Sequence, residues 1–281
     1  MKEPAVSADP TQVLAFDTNC HLFDGCGFDN VAPGLHSFMF EPLVGNADGN
    51  GFYFNKPMLL ALLGSIIVVG FFWTAFRKPS IVPGKLQMVA EAGYDFVRRG
   101  VVYETIGKKE GEKYVPLVVS LFFFVWMMNL WSVIPVAQFP VTSIIAYPAI
   151  LALIVYVLWV SLTFKRHGFV GAWKNITGYD KSLGAVLPLA MVIEFFSNLI
   201  VRPFTHAVRL FANMFAGHTL LVLFTVASWY MLNGIGIAYA GVSFVMTIVM
   251  TAFELFIQAV QAYVFVLLTC SYIQGALAEH H

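Results

Sequence analysis

Charge is scarce in this chain. Asp, Glu, Lys and Arg make up 11% of its 281 residues, against roughly 25% in a soluble domain. Sixteen basic and sixteen acidic residues cancel to a net charge of zero, so the chain carries no net basic field for nucleic acid. Cysteine is rarer still, at three. Cys20 and Cys26, in CHLFDGC, either close a disulfide on an oxidising side of a membrane or remain two thiols. Cys20, His21 and Cys26 match no standard metal-ligand spacing, so neither a metal nor a cofactor is expected. Cys270 lies in an apolar run and reads as a packing residue. No HExxH pair and no GxSxG turn is present, which argues against an intramembrane metalloprotease or serine hydrolase. His206 and His218 point about 120° apart on one helix and would not share a metal or haem. There is no internal repeat, and residues 1–55 contain no apolar core of a signal peptide.

Apolar residues are abundant, at 59% of the sequence. Windows near Pro57–Phe76, Val115–Ile134 and Ile144–Phe164 each approach the roughly 20 residues that cross a bilayer. Two longer tracts follow, near residues 183–230 and 235–275. No turn cluster splits either, so each reads as one long, tilted helix. The expected fold is an all-α polytopic membrane protein with five membrane-embedded helices, the last two antiparallel. Residues 1–55 would form an outer segment and residues 56–281 the membrane domain.

Charge placement orients these spans. Residues 1–55 hold one Lys against seven acids, whereas Arg77–Lys113 contains eight Lys/Arg and Lys165–Lys181 four. The connections near 135–143 and 232–240 contain none. The positive-inside rule then puts the N-terminus outside and the C-terminus in the cytoplasm. Between about 85 and 107, Leu86, Val89, Ala90, Phe96, Val97 and Val101 oppose Gln87, Glu91, Asp95, Arg98 and Arg99. That pattern predicts an amphipathic helix on the inner membrane face. Asn129, in the second span, is expected to hydrogen-bond a neighbouring helix.

The ionisable residues within the membrane concentrate in the two long tracts: Glu194, Arg202, His206, Arg209, His218 and Glu254. An arginine near the bilayer centre costs about 2.5–3.5 kcal/mol on insertion scales, and such groups mark ion pathways or cavities. Arg202, Arg209 and Asn213 fall within about 60° of arc, sharing their face with Thr205, Ala212 and Ala216. Small residues beside an arginine admit a closely packed partner. In the last tract Thr247, Thr251, Glu254, Gln258 and Gln261 form one polar stripe. An antiparallel arrangement would set Glu254 level with His218, a possible proton relay, and Gln261 level with Arg209. His218 lies about 180° and ~13 Å from Arg209, and Glu194, with Ser197, ~22 Å away on the inner side. Other readings stand beside these. Arg202, next to Pro203, could snorkel; His206 could serve packing; Glu194 could be a structural hydrogen-bond partner; Arg209 could pair with Glu254.

With those residues in view, the chain resembles subunit a of F-type ATP synthases. VRLFANMFAGH is similar to the motif around that family's essential arginine. ELFIQAVQAYVFVLLTCSY resembles its last-helix signature, and VPGKLQMVAEAGYDFV the segment after its first span. The similarity runs from about Asn55 to the C-terminus. It implies a non-catalytic, proton-translocating subunit of a bacterial plasma membrane. Its partners would be a ring of c subunits, the b-subunit stator stalk and the rest of the synthase. Arg209 would face the ring carboxylate with Asn213 beside it. His218 and Glu254, with Gln261 near the arginine, would line an outer half-channel, and Glu194 and Ser197 an inner one. Ala212 stands where many members have glycine, and the acid and imidazole at 218 and 254 are exchanged relative to some members. A stand-alone proton-coupled transporter is the alternative, but such folds usually show repeats and broken helices.

Overall fold

The computed structural model describes residues 42–44, 54–77, 80, 83–134, 137–177, 187–233 and 237–277. Cys20, His21 and Cys26 lie outside them, as does most of the expected outer segment. A short antiparallel pair joins β1 (Pro42–Val44) to β2 (Phe54–Asn55). Among the described residues every longer element is helical, and four helices are long and apolar enough to cross a membrane. The molecule is an all-α polytopic membrane protein. It divides into two compact units, Lys56–Phe215 with Leu255–His281, and Met1–Asn55 with Ala216–Glu254.

In the larger unit, α1 (Lys56–Phe76) turns Leu62, Ile66, Val69 and Trp73 outward. Exposed apolar side chains belong on such a helix, because lipid is as apolar as they are. Its association with α4 (Val115–Leu130) therefore depends on close packing. Gly64 makes that approach possible: a Cβ there would sit 2.5 Å from Met128 Cε and 3.0 Å from Trp131 Nε1. The core gathers Val118, Phe122 and Val125 of α4 with Leu151 and Val155 of α5 (Ala146–Thr177). Buried Cys270 packs into the same core.

The amphipathic helix α2 (Lys85–Val97), followed by a π-helical turn over Arg98–Tyr103, divides its faces differently from the expectation. Ala90, Val97 and Val101 are buried, but Leu86, Val89 and Phe96 are exposed. Gln87, assigned to the polar face, is buried: its Nε2 donates to Glu91 Oε1 at 2.7 Å and to the Ser80 carbonyl. An apolar environment on two sides explains the discrepancy, since both lipid and core accept hydrophobic residues. Asn129 finds its partner outside the crossing helices. Its Oδ1 accepts a hydrogen bond from Thr142, in the short 3-10 helix Val141–Ser143 that links α4 to α5.

Near the short helix α3 (Lys108–Gly111), Arg98 Nη2 lies 2.6 Å from Glu112 Oε1, and Arg98 Nε donates to Tyr103 Oη at 2.6 Å. The Tyr103 hydroxyl donates in turn to Glu112 Oε2. That bond, with help from Arg98 and against partial desolvation, holds the Glu112 carboxyl below its ordinary 4.5. A depressed carboxylate stabilises the fold above its ordinary pKa and loses that contribution as pH falls through the folded value. Thermal melts of the solubilised protein are therefore expected to weaken on acidification below about pH 4.5, the ordinary carboxyl value. The Glu112→Gln protein should show a flatter profile there; identical profiles would contradict the assignment.

The last two tracts are long helices. α6 (Leu187–Phe196) passes through a π-helical turn, Ser197–Val201, into α7 (Arg202–Asn233). α8 covers Ile237–Leu277 without interruption. Contacts within each unit run antiparallel: Asn213 meets Gln261 and His206 meets Tyr272 in one, while Phe224 meets Ser243 and Ser228 meets Thr247 in the other.

Candidate functional site

In the larger unit, α7 has two contrasting faces. One is buried: Leu210 and Met214 are 0% and 1% exposed and join the core, while His206 stacks on Phe265 at 4.1 Å between ring centroids. The other face is open. Arg202, Thr205, Arg209, Ala212 and Asn213 are all exposed, as the 3.6-residue period places them. Among the described residues no acid pairs with Arg209. Its guanidinium is thus presented outward from an apolar helix, between the small side chains of Thr205 and Ala212.

Asn213 Nδ2 donates to Gln261 Oε1 at 2.5 Å, which brings the polar stripe of α8 to the turn following Arg209. Gln258, fully buried, donates from Nε2 to Ser132 Oγ at 2.6 Å. Sequence inspection missed Ser132, because one serine at the end of an apolar span carries no periodic signal. Arg202 places its guanidinium carbon 5.8 Å from the centre of the Tyr272 ring, a cation–π geometry. It therefore has a local aromatic partner as well as the option of snorkelling.

Towards the start of the tract, Glu194 is exposed and Ser197 half-buried, where the π-helical turn begins. Asn198 is buried and donates from Nδ2 to the Ile176 carbonyl at 2.8 Å. Such turns frequently occur at functional sites in helices.

In the smaller unit, His218 and Glu254 are 5% and 3% exposed. Glu254 packs against the turn that carries the histidine: a Cβ on Gly217 would lie 3.8 Å from Glu254 Cγ. Ser228 Oγ and Thr247 Oγ1 are 3.5 Å apart, and Ser243 Oγ donates to the Phe224 carbonyl at 3.0 Å. Together with half-buried Thr251, these groups form a polar seam along two otherwise apolar helices. Ser228 and Ser243 were also missed, since serines occur commonly at helix packing faces. No group of three or more His, Cys, Asp or Glu that could hold a metal occurs among the described residues.

The family model for the ATP synthase A chain matches residues 58–274, which include every candidate site residue above. The chain belongs to the ATP synthase subunit a family. A curated ATP synthase subunit a from Streptomyces lividans is 84% identical over 277 residues, covering 99% of this chain and 98% of that protein. Subunit a of a Nocardioides strain is 40% identical, covering 92% of this chain and 96% of its own length. One from Frankia alni is 41% identical over 81% of this chain and 78% of that protein.

Proposed function

We propose that this chain is the stationary proton channel of an ATP synthase membrane sector, held by the b-subunit stalk while a ring of c subunits turns against it. As a member of the subunit a family it is a proton-translocating component and performs no catalysis itself. The observation that carries the finer reading is the exposed arginine of α7. A cation held at membrane depth is costly, and the open, small-residue face around Arg209 suits an anionic group on a neighbouring helix.

A ring carboxylate supplies that group. Protonated, it tolerates lipid; within ~4–6 Å of a guanidinium its pKa falls by roughly 1–3 units, and it releases its proton. Arginine fits the role because it stays charged where a buried lysine could lose its proton. Asn213, braced by Gln261, would fix the polar surroundings of that encounter. His218 and Glu254 would deliver protons from an outer half-channel, and Glu194 and Ser197 would receive them in an inner one. The fixed positive charge of Arg209 between the two opposes direct passage and makes rotation obligatory. The orientation follows from charge placement, with the N-terminus outside a bacterial plasma membrane and the C-terminus inside.

Cysteine cross-linking tests this arrangement. With Ala212→Cys in the assembled complex, oxidation is expected to join this chain to a cysteine on the outward helix of a c subunit, near its carboxylate. A scan of that helix yielding no product, while Ala212→Cys couples to the stalk instead, would overturn the reading.

A further inference from the structure

The helix α5 does not end where its apolar run ends. Ala146–His167 amounts to 22 residues, or about 33 Å of helix, enough for one crossing of the hydrocarbon. At Gly168 the backbone takes φ 66° and ψ −176°, a conformation essentially restricted to glycine, and the axis breaks. A second helical stretch, Phe169–Thr177, then continues as a hook.

This hook has a distinct pattern. Ala172 and Ile176 are buried, and Ile176 packs with Trp159 and Ala276. His167 Nε2 lies 3.0 Å from the Ala276 carbonyl, and Asn175 Nδ2 donates to the Gly275 carbonyl at 3.4 Å, so the hook is tied to the end of α8. Its remaining apolar residues stay largely open: Phe169, Val170 and Trp173 are 75%, 68% and 51% exposed, although the Phe169 ring lies 5.8 Å from that of Phe164 and the Trp173 ring 5.7 Å from that of Phe195. They span about 100° of arc. Lys165, Arg166 and Lys174, also exposed, flank them.

Exposed Leu or Val within a crossing helix simply meets acyl chains. Exposed Phe, Val and Trp beyond a full crossing, bordered by cations, fit a different environment. Aromatic residues settle at the headgroup level, and basic residues there attract anionic lipids at about 1 kcal/mol each. We propose that Phe169–Thr177 is an interfacial anchor that lies in the inner leaflet and gathers anionic phospholipid headgroups, holding the inner end of α8 in place. The placement in the inner leaflet rests on the orientation proposed above.

The assembled complex tests this with a fluorophore on Val170→Cys, in a background whose native cysteines are replaced, reconstituted into vesicles. Lipids spin-labelled near the headgroup are expected to quench the label more strongly than lipids labelled near the chain end or aqueous iodide. Dominant iodide quenching would place the hook in solvent; protection from every quencher would place it under another subunit. Either result overturns the anchor. A second arm addresses lipid charge. In vesicles mixing phosphatidylglycerol with phosphatidylcholine, a phosphatidylglycerol spin label is expected to quench more than its phosphatidylcholine counterpart. Lys165→Gln should lower that preference about fivefold, the loss corresponding to one interfacial charge. An unchanged preference would remove the anionic headgroup from the proposal. Failure of these arms with intact Ala212→Cys cross-linking would leave the channel reading standing.

Discussion

Arg209→Ala is expected to abolish proton-driven ATP synthesis in membrane vesicles, by at least about 100-fold, equivalent to ~2.7 kcal/mol. Assembly of the complex should survive. The side chain is exposed and makes no ion pair with an acid among the described residues. Its removal therefore leaves no orphaned partner in this chain and relieves an insertion cost of about 2.5–3.5 kcal/mol. A structural arginine would give the opposite pattern, with lost assembly and no selective effect on coupling. Arg209→Lys should also be strongly impaired, because an ammonium near the bilayer centre can be neutralised and lacks the planar fork. Vesicle ATP synthesis and native gel electrophoresis separate the outcomes. Normal synthesis by the alanine protein would end the proposal.

Replacing Glu254 by glutamine should slow proton-coupled synthesis by about 100-fold, the lower range for losing a positioned proton-transfer group. Glutamine preserves the shape and one acceptor oxygen but cannot exchange a proton, so packing should be unaffected. Glu254 is almost completely buried and sits against the turn bearing His218. The double exchange His218→Glu with Glu254→His restores one acid and one imidazole in the same space. It is expected to outperform either single exchange. If the double variant is no better than the worse single one, the two side chains do not work as a pair.

The apolar runs of the sequence correspond to helices because hydrophobic length is the one requirement that lipid imposes on every crossing segment. The arginine face was legible for a related reason: period and residue size are both visible in Arg202, Thr205, Arg209, Ala212 and Asn213. What could not be read is which apolar residue meets protein and which meets lipid. Leu86 and Val89 differ little from Val97 in sequence, yet they are exposed and it is buried. Hydropathy falls silent where both environments are oily. Single polar contacts were equally hidden, because Gln258 to Ser132 and Asn129 to Thr142 depend on the packing of distant segments. The hook after Gly168 escaped notice since KRHGFVGAWKNIT is too polar to extend a span and too short to announce its own helix.

The shortness of α4 decides how its crossing is completed. Its 16 residues reach about 24 Å, against a hydrocarbon core of about 30 Å. The turn that follows is itself dry: Phe139, Val141 and Thr142 are buried, and the Phe139 amide bonds back to the Trp131 carbonyl. Irregular backbone can sit below the membrane surface when it is satisfied and covered in this way. The covered turn thus completes the depth that α4 leaves short, and irregular chain does there the work that helix does in the other crossings.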